Sequence, residues 1–412
     1  MKRYLFNAVS VLLGFLAIVL TSREAGSQQP IASFYYDDQG NVIRQSRDTN
    51  GDGKMDHWTY YNRRGQIERV EQDINFDGRQ DIFAYYEGGK PTRQEMASKH
   101  DGQIDTWYFL NAQGEVERKG QDTRRFGKPT LWVYYKNGQP VRSEEDVQSS
   151  GIAQRTVHFQ EGKISRVEED TDADGKPDTF SYFENGQLVR KELDRKRSGK
   201  IDLWGYYQDG RLLKQEEDLR GNGKVNRIVY FHGDEVVRRE EDSAGRGRID
   251  MIEAFSRGRL NKRIRDMKGT GKWDTIYYFN DTALVREERD TDGDGFFDLR
   301  VFYENDQIAR QEADTNHDRR VDVWASFQNG ERVEQLEDQT YRGKITARYL
   351  FKGGQVVGQE QVADAEPPSI ALPFVAVEEE LKNMASYGLG LSPFSKNKTV
   401  AKTELESRSK IK

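Results

Sequence analysis

The chain has 412 residues, of which 35% are hydrophobic and 33% charged. That apolar share is low for one globular core of this length and suits a repeat protein whose units pack only on their neighbours. The net charge of −6 with interleaved signs leaves no basic patch for nucleic acid, and the absence of cysteine excludes disulfides, thiolate metal sites and a Cys nucleophile.

The chain opens on a targeting pattern. Lys2 and Arg3 precede the apolar run 9–20, and Ala25, Gly26 and Ser27 offer small residues for cleavage. Residues 1–27 read as a secretory signal peptide, so the mature protein is expected in the periplasm, at the cell surface or outside the cell. The run is short for a membrane span, which needs about 20 residues. No later run is long enough, so no integral span is expected after cleavage.

Residues 28–362 are read as tandem repeats. Units in one register begin at Asp48, Asp73, Ala97 and Asp122, then at every 24th residue to Asp338, with a partial unit before them at 31–47. The units at 48 and 97 carry one extra residue, placed in a turn. Counting from the first Asp, position 6 is usually Gly, position 9 Asp, position 11 Trp or another large residue, and position 13 often Tyr. Position 14 is aromatic in all but one unit, where Leu110 stands. A turn such as Asn185-Gly186 follows, then two apolar residues, a usual Arg or Lys at 21 and a usual Glu at 23.

Asn-Gly and Asp-Gly between β-prone runs are the strongest short hairpin signal, because a type I′ turn needs two residues with positive φ. Each unit therefore reads as strand, tight turn, strand, wide loop. Strict alternation from the turn pairs Phe183 with Leu188, Tyr182 with Val189 and Ser181 with Arg190. It places the Arg/Glu ladder on the face opposite the residues at 11 and 13. The fold class expected is all-β: an elongated repeat protein, a twisted antiparallel meander of about 13 hairpin units. A parallel β-solenoid with one coil per repeat is the alternative, and a closed barrel or propeller a further one. The hairpin half, as in 206–217, resembles bacterial MORN-type repeats, without their regularly spaced glycines.

The wide loops carry D-x-[DN]-x-D-G-x-x-D. Ca²⁺ takes six to eight oxygens at about 2.3–2.6 Å from a loop that curls round it. This pattern offers side chains at positions 1, 3, 5 and 9, a backbone carbonyl at 7, and a Gly for the sharp turn. Four loops match fully: Asp48, Asn50, Asp52, Lys54 and Asp56; Asp73, Asn75, Asp77, Arg79 and Asp81; Asp170, Asp172, Asp174, Lys176 and Asp178; and Asp290, Asp292, Asp294, Phe296 and Asp298. A fifth, Asp314, Asn316, Asp318, Arg320 and Asp322, has Arg319 in the Gly slot, and weaker binding is expected there. In a helix–loop–helix calcium hand a Glu closes the site at position 12. Here that residue is Thr59, inside a predicted strand. The pattern resembles the calcium loops of integrin α-subunit propellers and thrombospondin type-3 repeats, which also close on an Asp. The resemblance covers nine residues per unit and implies the ligand roles just given, with Ca²⁺ as the cofactor. In the other loops, such as 194–202 and 266–274, ligand slots hold Lys196, Ser198, Lys268 and Thr270. They are expected to keep the turn shape without metal, a Lys or Arg charge partly standing in for the cation.

No other motif carries chemistry. The five histidines show no metal-ligand spacing and fall in variable slots. The run 269–272 (GTGK) lacks the rest of a phosphate loop, and no G-x-S-x-G occurs. Trp58, Trp107, Trp132, Trp204 and Trp324 all fall at position 11, and a platform for sugar rings or a partner chain is one reading of that row. Burial between units is the other. Trp107, Trp132 and Tyr134 form its densest local group. Residues 363–412 read as a cap or linker, a short helix within 375–387 and a disordered polar tail at 392–412.

The function these features favour is that of an exported, non-enzymatic, calcium-binding repeat protein. It would act as a rigid scaffold or binding surface for an extended envelope polymer, such as a polysaccharide, or a protein partner, and not for nucleic acid. The alternative is a carbohydrate-active enzyme, or its accessory module, on the same scaffold. That reading requires a non-repeating acid pair in a pocket.

Overall fold

The computed structural model describes residues 31–368 and 374–386; the signal-peptide reading and the polar tail fall outside the described residues. Twenty-eight strands, from Ala32–Tyr36 to Gln355–Ala365, form an open antiparallel meander in which, within each of two compact units, each strand pairs with the next. The solenoid alternative required parallel pairing and the barrel a closed sheet; among the described residues neither is present. Chain segments through residue 143 form one compact unit and those from residue 150 a second.

The turns behave as their sequences require. Asn185 and Gly186 both have positive φ, 50° and 81°, as do Asp209 and Gly210 at 50° and 77°. In the two longer units the extra residue lies in the turn: Asn62 N–H donates to Gln66 O, and Asn111 N–H to Glu115 O.

The register departs from strict alternation at one point per hairpin. Phe183 pairs with Leu188 as expected, but Tyr182 pairs with Arg190 and Ser181 with Lys191, because a β-bulge absorbs Val189. The same shift recurs at Tyr206/Tyr207, Tyr230/Phe231 and Tyr278/Phe279. One extra residue on one strand moves everything beyond it to the other face. The Arg/Glu ladder therefore shares a face with positions 11 and 13, which corrects the two-faced assignment made from the sequence. On this face two rows run across the strands. One passes Tyr182, Arg190, Tyr206, Lys214 and Tyr230; the other passes Phe180, Glu192, Trp204, Glu216 and Ile228. Tyr182 Oη donates to Glu192 at 2.9 Å and Tyr206 Oη to Glu216 at 2.9 Å, tying the rows together. The opposite face carries position 14: a Cβ added to Gly205 would lie 3.1 Å from the Tyr207 ring, so that ring folds over the glycine.

Over much of the sheet these residues are only half-buried. The second unit differs near its C-terminal end. There the row at positions 11 and 23 becomes Ile252, Ile264 and Ile276, and the helix Val377–Ser386 packs against it through Val377, Leu381 and Met384. Residues i, i+4 and i+7 lie on one helix face, so this spacing suits a single apolar contact. Phe374, Phe297, Trp324 and Ile345 complete the core. Lys262 Nζ bonds Glu380 Oε2 at 2.7 Å across it. Val377 N–H donates to Gly295 O at 3.0 Å and Phe297 N–H to Val375 O at 3.4 Å, so the C-terminal segment grips the loop at 290–298. Further along, Arg300 is buried between Glu288 (2.8 Å) and Glu312 (3.0 Å), with Phe374 over its guanidinium.

Candidate metal loops and the aromatic face

The wide loops are built by their own acids. Where position 9 is Asp it donates its N–H to the preceding strand, as Asp178 does to Glu169 O at 2.9 Å, and position 1 of the next unit donates to its carbonyl, as Asp194 does to Asp178 O at 2.8 Å; Thr130, Gln154 and Asn226 hold the same slot and donate likewise. These two carboxylates are buried in most loops, Asp48 and Asp81 at 1% exposure, while Asp105 and Asp146 are half-buried. The position-1 carboxylate accepts the position-6 N–H: Gly53 to Asp48 at 2.8 Å, Gly175 to Asp170 at 2.8 Å, Gly295 to Asp290 at 2.9 Å. The position-5 acid accepts the position-7 N–H, as Lys54 to Asp52 and Phe296 to Asp294, both at 2.8 Å. Arg79, Lys176 and Arg320 donate likewise to Asp77, Asp174 and Asp318. The position-9 acid accepts from position 2, as Asp56 from Thr49 N–H at 2.9 Å.

Loops without the full acid set keep this frame. Gly199 donates to Asp194 at 2.6 Å, Gly247 to Asp242 and Gly271 to Asp266 at 2.8 Å. In the phosphate-loop-like run the Thr270 and Gly271 N–H groups are thus spent on Asp266, and that of Lys272 on Thr270 Oγ1. Arg319, in the Gly slot, adopts φ 73° and still donates to Asp314 at 2.6 Å, a backbone conformation that costs an ordinary residue energy.

Whether calcium fits is a matter of the oxygens left over. A carboxylate has about four acceptor positions, so the frame does not exhaust it. Two oxygens on one ion at about 2.4 Å lie at most about 4.8 Å apart. Donor atoms of Asp170, Asp172 and Asp178 all fall within 4.8 Å of one another, and so do those of Asp290, Asp292 and Asp294. Asp174 lies outside the first group. In the loops at 48–56, 73–81 and 314–322 position 3 is Asn50, Asn75 or Asn316, and no three carboxylates converge that closely. Burial pushes Asp290 above the usual carboxylate range, with Asp292 beside it adding to the effect. The Asp294 N–H holds Asp292 below that range. Burial likewise raises Asp322.

Loops also touch their neighbours. Lys196 Nζ reaches Leu219 O at 2.8 Å, and Lys268 Nζ reaches Asp290 O and Thr291 O, both at 2.9 Å. The cationic side chains of these loops therefore bind the next loop's carbonyls and do not sit in their own ligand slots. Sequence reading expected the charge and missed its target. The signal available was the Gly that follows one unit later, at Gly221 and Gly293.

The aromatic group is placed as follows. Trp107 and Trp132 are half-buried and flank Gly120 in one row, each pairing with it. A Cβ on Gly120 would lie 2.9 Å from Pro129 Cγ and 3.0 Å from Trp132 Cζ3. Arg118 stacks 4.4 Å from both the Phe109 and Trp132 ring centres, and Arg142 4.2 Å from that of Tyr134. The same cation–π stacking joins Arg69 to Tyr60 and Arg93 to Tyr85. So the face is a mixed guanidinium and aromatic surface in which the rings are half-buried. Trp324 is buried, at 4% exposure, beneath the C-terminal segment. Beside Trp107 a hollow of about 400 Å³ opens, lined by Asp101, Asp105, Asp122, Arg125 and Phe126 among others.

No family model and no curated protein matches the chain. Among solved structures it is similar to a chain of the accessory secretory protein 1, 2 and 3 structure from Streptococcus pneumoniae, at 22% identity over 26% of this chain and 18% of that one, with a TM-score of 0.16. It is also similar to chains in the TcdB2-TccC3-Cdc42 and TcdB2-TccC3-TEV structures. These are 11% and 10% identical, cover 77% and 78% of this chain and 24% and 22% of theirs, and have TM-scores of 0.14 and 0.17. The chain thus spans less than a quarter of the length of each. Likenesses at these scores carry no argument about function. Among the described residues no helix is long and apolar enough to cross a membrane.

Proposed function

We propose that this is an exported, non-enzymatic, calcium-binding β-hairpin repeat protein that serves as a scaffold for an extended envelope polymer or a protein partner. The observation that carries the calcium part is the convergence of Asp170, Asp172 and Asp178, and of Asp290, Asp292 and Asp294, within the span one ion allows. Their sequence pattern resembles the loops of integrin α propellers and thrombospondin type-3 repeats over nine residues per unit. The backbone carbonyls of Lys176 and Phe296 would add oxygens. An ion there offsets the mutual repulsion of the acids and ties each wide loop to the strands that flank it. Loops at 48–56, 73–81 and 314–322 would bind through fewer carboxylates and an Asn carbonyl.

The partner surface is the face that carries the Trp/Glu and Tyr/Arg rows. Identical chemistry returns every two strands, about 9.5 Å apart, which suits a ligand that is itself repetitive or extended. The hollow beside Trp107 supplies an aromatic wall with carboxylates and a guanidinium, groups that pair with sugar hydroxyls. Retention of the mature chain on immobilised cell-envelope polysaccharide, with and without chelator, tests this reading. Binding that falls several-fold in Trp107→Ala and Trp132→Ala at unchanged melting temperature supports it. A protein that ignores all envelope fractions, or variants that lose only stability, would overturn the partner assignment.

A further inference from the structure

Position 4 of the wide loops sits in the left-handed region, with φ of 56° at His100, 53° at Arg197 and 61° at His317, and of 69°, 76° and 70° at Gly221, Gly245 and Gly269. Its side chain reaches back to the preceding loop. Arg197 Nη1 lies 2.6 Å from Asp172 Oδ2, His317 Nδ1 3.1 Å from Asp292 Oδ2, and His100 Nδ1 3.1 Å from Asp81 Oδ1. What stands there follows the preceding loop. After the five acid-rich loops it is Phe76, His100, Arg197, His317 and Tyr341. After the loops at 194, 218, 242 and 266 it is always Gly, and at Gly245 and Gly269 an arginine of the preceding loop leaves little room for a side chain. A Cβ at Gly245 would lie 3.0 Å from Arg220 Cζ, and one at Gly269 2.6 Å from Arg246 Cζ. The loops at 194, 218, 242 and 266 send a cation forward into the next loop, whereas those at 73, 170 and 290 receive a side chain back over their acids.

Histidine occupies position 4 twice, both times over a complete acid set. In the loop at 73–81 Asp81 is 1% exposed, and its Oδ1, the atom facing His100, has no hydrogen-bond donor; Oδ2 takes the Ile74 and Asn75 N–H groups. In the loop at 290–298 the donor atoms of Asp292, Asp298 and His317 lie within 4.8 Å of one another. Two ligand atoms each about 2.1 Å from one ion, at tetrahedral or octahedral angles, lie about 3.0–3.4 Å apart. Both His–Asp separations, at 3.1 Å, match that spacing.

We propose that His100 and His317 are metal ligands delivered from the following hairpin, making the loops at 73–81 and 290–298 sites for a zinc-class divalent ion. Calcium takes oxygen ligands, whereas imidazole nitrogen suits Zn²⁺, Co²⁺ and Ni²⁺. The ion would bridge consecutive units, joining Asp81 to His100 in one place and Asp292 and Asp298 to His317 in the other. This rests on the cation-binding reading of the same loops and puts a zinc-class ion in place of calcium at these two, leaving calcium to the loops at 48–56, 170–178 and 314–322.

The test is titration of the chelator-treated full-length mature chain with Co²⁺, read by visible absorption, beside a calcium melt on the same samples. The expected result is two bound Co²⁺ with nitrogen-ligated spectra, one lost in His100→Asn and the other in His317→Asn, at least tenfold weaker in each case. The calcium-induced rise in melting temperature from the loops at 48–56 and 170–178 persists in both variants. Co²⁺ binding unchanged in both variants, or a spectrum of oxygen ligands alone, overturns the proposal. A variant that melts early in metal-free buffer is replaced by His317→Gln or His100→Gln, read the same way. Histidine-dependent Co²⁺ binding without any calcium effect overturns the calcium reading and leaves this one standing. A calcium effect without histidine-dependent Co²⁺ does the reverse.

Discussion

The adjacent loops at 266–274 and 290–298 share one backbone frame and differ in what fills it. In both, the first Asp accepts the position-6 N–H, at 2.8 Å from Gly271 and 2.9 Å from Gly295. In the first, Lys268 leaves its own loop and binds Asp290 O and Thr291 O of the second. In the second, the carboxylates of Asp290, Asp292 and Asp294 converge, and burial pushes Asp290 up. The frame thus forms with or without the full acid set, which is a load that the frame carries and that the proposed cation would relieve. Position 1 is structural wherever it is Asp, which is every unit but the one that begins at Ala97; positions 3 and 5 distinguish the loops.

The largest expected effect comes from removing the frame. Asp266→Ala strands the Thr270 and Gly271 N–H groups and the Arg248 guanidinium, which bonds Asp266 at 2.7 Å. It should cost about 2–4 kcal/mol by denaturant unfolding, with or without calcium. Asp294→Ala in the acid loop should cost under about 0.5 kcal/mol in chelator, since Asp294 is exposed. In calcium the cost should grow, because the ion's binding energy is lost. Equal costs for the two variants in both buffers would erase the distinction between frame and ligand.

Gly269→Ala comes next. Its φ of 70° and the nearby Arg246 together predict a loss of about 1–2 kcal/mol. The end of Arg246 is flexible, so most of the cost is backbone and should be the same in calcium and in chelator. Lys268→Met should cost under about 1 kcal/mol, since the side chain is exposed. Hydrogen exchange should show the change at 290–298 and not at 266–274.

Acid should weaken the frame in a defined direction. Burial alone pushes the carboxyls of Asp218, Asp242 and Asp266 up, but N–H donors of their own loops, with the Arg248 guanidinium first among them at Asp266, outweigh it and hold all three below the ordinary value. A carboxylate depressed in the folded state contributes stability above its unfolded value, about pH 4, and loses it as pH falls through the folded value. Melting temperature should therefore hold above about pH 4 and drop below it. A flat profile down to pH 2 would contradict the assignment.

Much of this was legible in the sequence, because repetition averages out local noise. The 24-residue step, the Asn185-Gly186 turn and the Asp-Gly loop each state a backbone requirement that few residues meet. The bulge was missed because strict alternation was assumed from the turn. Its trace was present: Leu188-Val189 and Leu212-Leu213 are adjacent apolar residues in a strand whose two faces differ. A repeated Tyr at 13 and Arg at 21 was the second trace, since the two stack. The inter-loop contacts were hidden for another reason. They link position 3, 4 or 5 of one unit to the next, so they appear only when neighbouring units are compared slot by slot. Helix 377–386 was legible as a helix, but its docking site was not, because Ile252, Ile264 and Ile276 read as ordinary strand residues until the row they form is known.

The most direct measurement of the central claim is a calorimetric titration of calcium into the chelator-treated mature chain, paired with thermal melts. The account predicts saturable binding, a higher melting temperature at millimolar calcium, and the loss of one site in Asp52→Ala and of another in Asp174→Ala. Absence of both binding heat and any melting shift at millimolar calcium would contradict it, and the acid-rich loops would then be turns held by their own hydrogen bonds alone.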